Sequence, residues 1–398
     1  VSAAPLLTVP EALARVLALL APVGVETVGL SEAAGRVLAQ PAVARRAQPP
    51  FDASAMDGYA VRAAEATPGA RLRVVGEAPA GRAWTGDLGP GEALRIFTGA
   101  PLPAGADAVL IQENARAEGD AVFCLEAVAP GAWVRPAGFD FGPGASLPAP
   151  RRLSPADIAA LAAMNLPEVV VRRRPRVALV PTGDELVEVG AAPAADQIVA
   201  SSGHGLAALL AGFGAAPDLR PIAPDRVPAL GAALRAAAGN ADLIVTLGGA
   251  SVGDHDLVRG VVGDAALSFY KVAMRPGKPL MAGRFAGVPI VGLPGNPVSA
   301  MVCCHIFLRS AIDALLGLPA GPAGRREAIL AAPAPAEGPR EHYARAAVES
   351  DGRVRLFENQ DSSAQMLLAG ADVLAVRPAN APAAAEGDAI EVVPLRSA

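Results

Sequence analysis

The chain has 398 residues, of which 52% are hydrophobic and only 4% aromatic, with a formal net charge of −5. That length exceeds one ordinary core and predicts about two to four domains, while the acidic balance excludes a general attraction to nucleic acid. No apolar run is read as reaching the roughly 18 residues of a membrane span, and a cytoplasmic enzyme is expected.

The first segment, LARVLALLAPVGV, is broken by Arg15 and Pro22 and has no basic region before it, so it reads as an amphipathic helix and not a signal peptide. Helical apolar spacing runs from Val9 to Ala39, with Thr8 to Glu11 as its start and Ser31-Glu32 opening a second short helix. Residues 45–150 are rich in Gly and Pro. Their short β-branched runs RLRVVGEA, EALRIFTGA, ADAVLIQEN and AVFCLEAV predict a small all-β module. LSPADIAALAAMNL then resumes helical character, with Ser154 as cap and Pro155 at the first helical position, so the β module reads as an insertion into a helical domain. The basic cluster Arg172 to Arg174 reads as a solvated edge in a strand or linker.

From Arg176 the texture changes to RVALVPTGDEL, SSGHGLAALLAGFG, ADLIVTLGGASVGDHD and GVPIVGLPGNP. Continuous Val, Ile and Leu runs alternating with Ala-rich helices predict a parallel sheet covered on both faces. Ligands collect beyond the carboxyl ends of such strands, where TGDE, GGASVGD and PGNP all fall. A linker, AAPAPAEGP, precedes ARAAVES, VRLFEN, DVLAVRP and AIEVVPL, which read as a small C-terminal β barrel. Three cysteines, two of them adjacent at Cys303 and Cys304, offer neither a disulfide framework nor a CxxC zinc site. His204, His255, His305 and His342 lack helical metal-site spacing, and His305 is expected in the core.

In VGLPGNPVSA, Pro294 and Pro297 fix φ and remove donors, while Gly295 can take a conformation that other residues resist. Asn296 completes a rigid corner, and Ser299 falls where a helix begins, so free amides and a positive dipole end would face an anion there. In GGASVGDHD, Gly248, Gly249 and Gly253 let amides crowd an oxyanion, and Ser251 adds a hydroxyl. Asp254 and Asp256 add carboxylates able to hold hydrated magnesium against phosphate. Neither the dinucleotide fingerprint nor a Walker loop has this spacing, and an ordinary strand-to-helix turn would read the same. In TGDE, Thr182 and Gly183 bring a hydroxyl and close backbone approach; Asp184 and Glu185 either cap the next helix or face the ligand, and capping accounts for only one of them. RPGKP places Arg275 and Lys278 on a loop stiffened around Pro276 and Gly277, either a clamp for an oxyanion or a charged surface loop. In PPFDASAMDGYAV, Asp57 before Gly58 also suits a turn, and Thr98-Gly99 in RIFTGAPLPAGADAV is equally open.

In this order, PPFDASAMDGYAV, IFTGAPLPAGADAVLIQEN, PTGDEL, GGASVGDHD, KVAMRPGKP and GLPGNPVSA resemble the molybdopterin molybdenumtransferase family, which includes MoeA and the E domain of gephyrin, over nearly the whole chain. The resemblance implies a multidomain α/β plus β fold. Its parts would be an elongated helical domain (1–45 and 140–174) with an inserted β module (46–139), a molybdopterin-binding parallel-sheet α/β domain (175–328) and a C-terminal small β barrel (329–398). It implies a homodimer whose β module completes the site of the neighbouring subunit. The implied reaction inserts molybdenum from molybdate into adenylylated molybdopterin, releases AMP and uses magnesium or a similar divalent ion. No cysteine is required, because the substrate carries dithiolene sulfurs. Asp57, Thr98, Asp140, Glu185, Asp225 and Asp256 match the family's functional polar positions, with Asp225 and Asp256 for the metal. Arg275 and Lys278, with Lys271 nearby, match the molybdate-binding cations. Departures include the less basic setting of Asp140, Leu247 where serine is common, Ser202 for asparagine, Ala364 for arginine, and Gly370-Ala371-Asp372 for Ser-Ala-Asn. Arg345 survives as a matching cation at a separate molybdate surface. A non-catalytic scaffold of the gephyrin type and an adenylyltransferase are the competing readings; the carboxylates and cations oppose the first, the β module and barrel the second. Tungsten in place of molybdenum stays open.

Overall fold

The computed structural model describes residues 6–249 and 257–396. The chain forms two compact units, Thr27–Val171 and a second made of Val1–Glu26 with Arg172–Ala398.

In Thr27–Val171 the four expected β-branched runs are strands. They belong to a six-stranded sheet in the order Ala108–Ile111, Gly58–Val61, Glu92–Ile96, Arg71–Ala78, Ala121–Cys124, Ala115–Glu118. Period-two alternation sends Tyr59, Val61, Leu110 and Val122 into one core and Ala60, Leu94, Ile96 and Val109 into another. A separate core around Leu38, Leu153, Leu161 and Val171 is sealed by helix Pro155–Ala163. Ser154 caps that helix as expected, in a reciprocal box with Asp157: the Asp157 amide donates to Ser154 Oγ at 3.2 Å and the Ser154 amide to Asp157 Oδ2 at 2.9 Å.

The helical reading of Val9 to Ala39 holds only in part. The helix covers Val9–Leu17, Pro22 and Gly24 interrupt the chain, and Val25–Gly29 is a strand before the short helix Leu30–Ala33. Thr8 and Glu11 form the first helix's capping box, and its buried face of Val9, Ala12, Leu13 and Val16 packs against Arg309–Leu315 and Leu267–Tyr270 in the second unit. The Arg172 to Arg174 cluster is likewise no mere solvated edge. Arg173 forks onto Asp242 with two bonds of 2.6 Å, and Arg172 Nη1 donates to the Val23 carbonyl at 2.8 Å.

The second unit is built on a sheet in the order Ala216–Leu219, Arg176–Pro181, Leu243–Leu247, Val288–Leu293, Met281–Phe285, Leu267–Tyr270. The first four strands are parallel, as expected, but Met281–Phe285 runs antiparallel to both of its neighbours, Val288–Leu293 and Leu267–Tyr270. Ala286 and Gly287, at φ +48° and +83°, make a two-residue hairpin turn that reverses the chain there. Helix Val227–Ala238 covers Ala178, Val180, Ile244 and Ile290 on one face. The 19-residue helix Pro297–Leu315 is long and apolar enough to cross a membrane, against the sequence expectation, but 72% of its apolar 18-residue stretch is buried inside the protein. Its apolarity serves the core, where Cys303 and Cys304 lie as buried free thiols.

The C-terminal strands pair in the order Met274–Arg275, Glu341–Val348, Val373–Arg377, Ala389–Pro394, Arg326–Ile329, with Val354–Leu356 also on Glu341–Val348. A bridge from Leu330 to Val354 closes them into a small barrel.

Candidate functional site

Three strands end at one place. The Thr182 amide, just past Arg176–Pro181, donates to the Leu247 carbonyl at 2.9 Å, and the Gly248 amide donates to the Leu293 carbonyl at 3.4 Å. Gly248 sits at φ +92°, where a Cβ would lie 2.5 Å from the Thr182 carbonyl oxygen, so only glycine lets these two corners close. Gly295 differs from expectation. It does not take a positive φ; it lies against Gly248, whose Cα would be 3.6 Å from an added Cβ. Pro297 occupies the first turn of the long helix behind Asn296, and Ser299 is buried inside that turn instead of facing outward.

Beyond these ends lies a cleft of about 770 Å³. Of the residues singled out from sequence, Thr182, Glu185, Asp225, Gly248 and Gly249 line it, joined by Pro294, Gly295, Asn296 and Pro297 from the opposite corner. Thr182 Oγ1 donates to Asp225 Oδ1 at 2.7 Å, and the Asp225 amide donates to Asp184 Oδ1 at 3.0 Å. Asp184 therefore fixes Asp225 from behind. The helix expected directly after TGDE is absent: Leu186–Val187 pairs with Ile198–Val199, and the helix starts at Ser202. Gly183 crowds the Glu185 carboxylate, which would stand 2.7 Å from a Cβ. Ser251, Gly253, Asp254 and Asp256 lie outside the described residues.

No group of three His, Cys, Asp or Glu side chains forms a metal cage among the described residues. Glu185 and Asp225 both line the cleft, however, and one or two carboxylates are the complement with which proteins hold magnesium against phosphate, with water and substrate completing the shell.

The cations are disposed otherwise. Lys271, Arg275 and Lys278 do not line this cleft, although Pro279 at the end of their loop does. Lys271, at φ +77°, holds its ammonium 4.8 Å from the Tyr270 ring centroid. Arg275 lies in the strand Met274–Arg275, which pairs with Glu341–Val348 of the barrel, and approaches Glu337 at 4.0 Å; Glu337 in turn meets His342 Nδ1 at 2.7 Å in a buried pair. Burial holds that imidazole below its ordinary value against the pull of Glu337. The peptide before Pro276 is cis, and Gly277, at φ +113°, passes so close to Cys303 that a Cβ would lie 2.5 Å from its sulfur. Arg345 is only 2% exposed and bonds to main-chain carbonyls, so it is not the surface cation expected from sequence.

In Thr27–Val171, Asp57 Oδ1 accepts from both the Thr98 amide and the Thr98 hydroxyl, each at 2.8 Å. The amide, then the hydroxyl, holds this carboxyl below its usual range. Asp140 is exposed, its amide tied to the Gln48 carbonyl at 2.9 Å. Sequence reasoning did not single out Ser201, Ser363 or Gln365 as site residues, yet all three line the cleft. Ser363 and Gln365 arrive from the barrel, and the only signal near them in the sequence was the departure at Ala364, which stands between them.

An α/β sheet with glycine and proline corners around an open cleft, in a chain that also carries a closed β barrel and a six-stranded sheet within Thr27–Val171, defines a multidomain α/β plus β protein with a ligand cleft at its strand ends. Residues 7–165 match the family described as MoeA N-terminal region (domain I and II), residues 178–314 the "Probable molybdopterin binding domain", and residues 327–395 the MoeA C-terminal region (domain IV). The chain is 43% identical over 307 residues to molybdopterin molybdenumtransferase of Nostoc sp., covering 74% of this chain and 70% of that protein. It is 41% identical over 320 residues to molybdopterin molybdenumtransferase 2 of Mycobacterium tuberculosis, covering 77% and 79%. The crystal structure of the molybdopterin biosynthesis moeA protein from Pyrococcus horikoshii OT3 superposes with a TM-score of 0.86 at 28% identity, over 98% of this chain and 99% of that one. The chain belongs to the MoeA family of molybdopterin molybdenumtransferases.

Proposed function

We propose that this chain is a transferase of molybdenum cofactor biosynthesis that inserts molybdenum from molybdate into adenylylated molybdopterin and releases AMP. The observation that carries the reading is the convergence of the TGDE, Gly248-Gly249 and PGNP corners on one cleft with two carboxylates in its wall. Backbone groups at the glycines and the positive end of helix Pro297–Leu315 suit a phosphate-bearing substrate. Asp225, oriented by Thr182 and Asp184, would hold a divalent cation together with Glu185 and with Asp256, by family resemblance. A magnesium ion there supplies charge neutralisation at the pyrophosphate. Lys278 and Arg275 remain the proposed molybdate ligands, with Lys278 favoured because Arg275 already faces Glu337. The enzyme acts in the cytoplasm as a homodimer, in which the Asp57–Thr98 pair serves the cleft of the neighbouring subunit.

The test supplies adenylylated molybdopterin, magnesium and molybdate and follows AMP release together with active cofactor. Molybdate-dependent AMP release is expected. A protein that binds the pterin but never releases AMP would be a scaffold. Replacing Lys278 by Ala should raise the molybdate concentration for half-maximal activity; if only the pterin requirement moves, the clamp belongs to the other substrate.

A further inference from the structure

Residues 359–370 belong to the barrel, where they join Val354–Leu356 to Val373–Arg377, yet they reach the cleft of the α/β sheet. Three hydrogen bonds carry them there. Asn296 Nδ2 donates to Ser362 Oγ at 2.8 Å, the Val298 amide donates to the Ser362 carbonyl at 3.2 Å, and Gln365 Nε2 donates to Ser201 Oγ at 3.0 Å. The strap so held turns Ser363 and Gln365 to the cleft wall.

Its shape is set from behind. Asp361 Oδ1 accepts from the Ser363 amide at 2.8 Å and the Ser363 hydroxyl at 2.6 Å, closing a tight turn. Arg345 Nη2 donates to the Asn359 carbonyl at 3.4 Å and Nη1 to the Ala364 carbonyl at 3.3 Å, so one guanidinium grips both ends of that turn. Gln360 Oε1 accepts from the Arg345 amide at 2.9 Å and Nε at 3.3 Å, and Gln360 Nε2 returns a bond of 2.9 Å to the Arg345 carbonyl. A cation that is 2% exposed and committed to main-chain carbonyls is built to hold a loop.

We infer that Arg345 is a positioning residue for this strap, and that Ser363 and Gln365 bind the pterin nucleotide in the cleft. The assignment of substrate rests on the function proposed above. With its proton given to Asp361, Ser363 Oγ keeps acceptor capacity, and Gln365 keeps its Oε1 and the second Nε2 hydrogen; these match the neutral hydrogen-bonding edges of a heterocycle, whereas molybdate calls for cations, which the strap does not present to the cleft.

Two measurements on the full chain test this. In Arg345→Lys, which keeps the charge and loses the fork, amide exchange at Val298 and across Gln365–Ala369 should rise by about tenfold or more while the barrel strands stay protected. Gln360→Ala should do the same without any change of charge and serves if Arg345→Lys fails to fold. Ser363→Ala and Gln365→Ala should each raise the half-saturating concentration of adenylylated molybdopterin about fivefold and leave that of molybdate unchanged. Arg345→Lys should shift the same pterin requirement. Unchanged exchange in both strap variants overturns the positioning role. A shift in molybdate half-saturation alone on Arg345→Lys makes Arg345 an oxyanion ligand instead, and an unmoved pterin requirement in both strap-tip variants overturns their binding role. Failure of the wild type to release AMP would remove the proposed reaction, while exchange would still decide whether the strap is held by Arg345, and direct binding of molybdopterin to the tip variants would decide their role.

Discussion

At the residue scale, the cleft depends on how single side chains are held. Asp225 receives the Thr182 hydroxyl on one oxygen and is fixed at its amide by Asp184, so its orientation is set before any ligand arrives. Asp225→Asn keeps the acceptor for Thr182 and removes the charge. The fold should persist, and the magnesium requirement of AMP release should rise roughly 10- to 100-fold; an unchanged magnesium titration would remove Asp225 from the metal site. His305 shows the opposite use of a titratable group. Burial, aided by Arg309, drives its imidazole down to about 4, and it meets the Phe213 ring edge-on at 6.0 Å. Protons then favour the unfolded chain, whose histidine titrates near 6.5. The stability contribution is complete above that value and is lost as pH falls towards 4, on the order of 3 kcal/mol in all. His305→Phe should flatten this acid limb in urea unfolding between pH 4.5 and 7.5. Parallel pH slopes for the two proteins would mean that the imidazole is not held neutral.

At the scale of elements, two glycines contact different kinds of neighbour and so predict different outcomes. An Ala at 248 would meet a backbone carbonyl that two strands hold in place, with φ at +92°. Gly248→Ala should lower stability by about 2–4 kcal/mol and distort the cleft, measured as the urea midpoint and as weakened pterin binding. An Ala at 277 would meet the Cys303 sulfur, and the φ of +113° remains unfavourable whatever the space. Gly277→Ala should therefore lose stability, and adding Cys303→Ala should recover only part of it. Full recovery would mean that crowding alone makes glycine necessary; no recovery would mean that the backbone conformation does.

At the scale of the whole molecule, Asp57 and Thr98 stand in one compact unit and the cleft in the other. If the neighbouring subunit supplies Asp57, mixing inactive Asp57→Ala chains with inactive Asp225→Ala chains should restore activity. Each exchanged dimer would carry one site with both lesions and one intact site. Verified heterodimers that stay inactive would show that both residues serve the same subunit's site.

The local grammar of this fold was legible in the chain. The helix starts at Thr8 and Ser154, the four β-branched runs of the six-stranded sheet in Thr27–Val171 and the glycine corners at three strand ends depend on residues within a few positions of one another, so periodicity and turn chemistry disclose them. The family's motifs were legible for the same reason. Tertiary structure decided what distance in sequence hides. Gln365 meets Ser201 across 164 residues, Arg345 is buried behind a strap instead of lying at the surface, and the helix Val9–Leu17 packs onto Leu267–Tyr270 and Arg309–Leu315. Even Arg275, which RPGKP left open between an oxyanion clamp and a surface loop, stands 4.0 Å from Glu337, a residue far along the chain. A side chain's type states what it can bond to; which partner it finds is settled by the packing that brings the partner within reach and excludes water from between them.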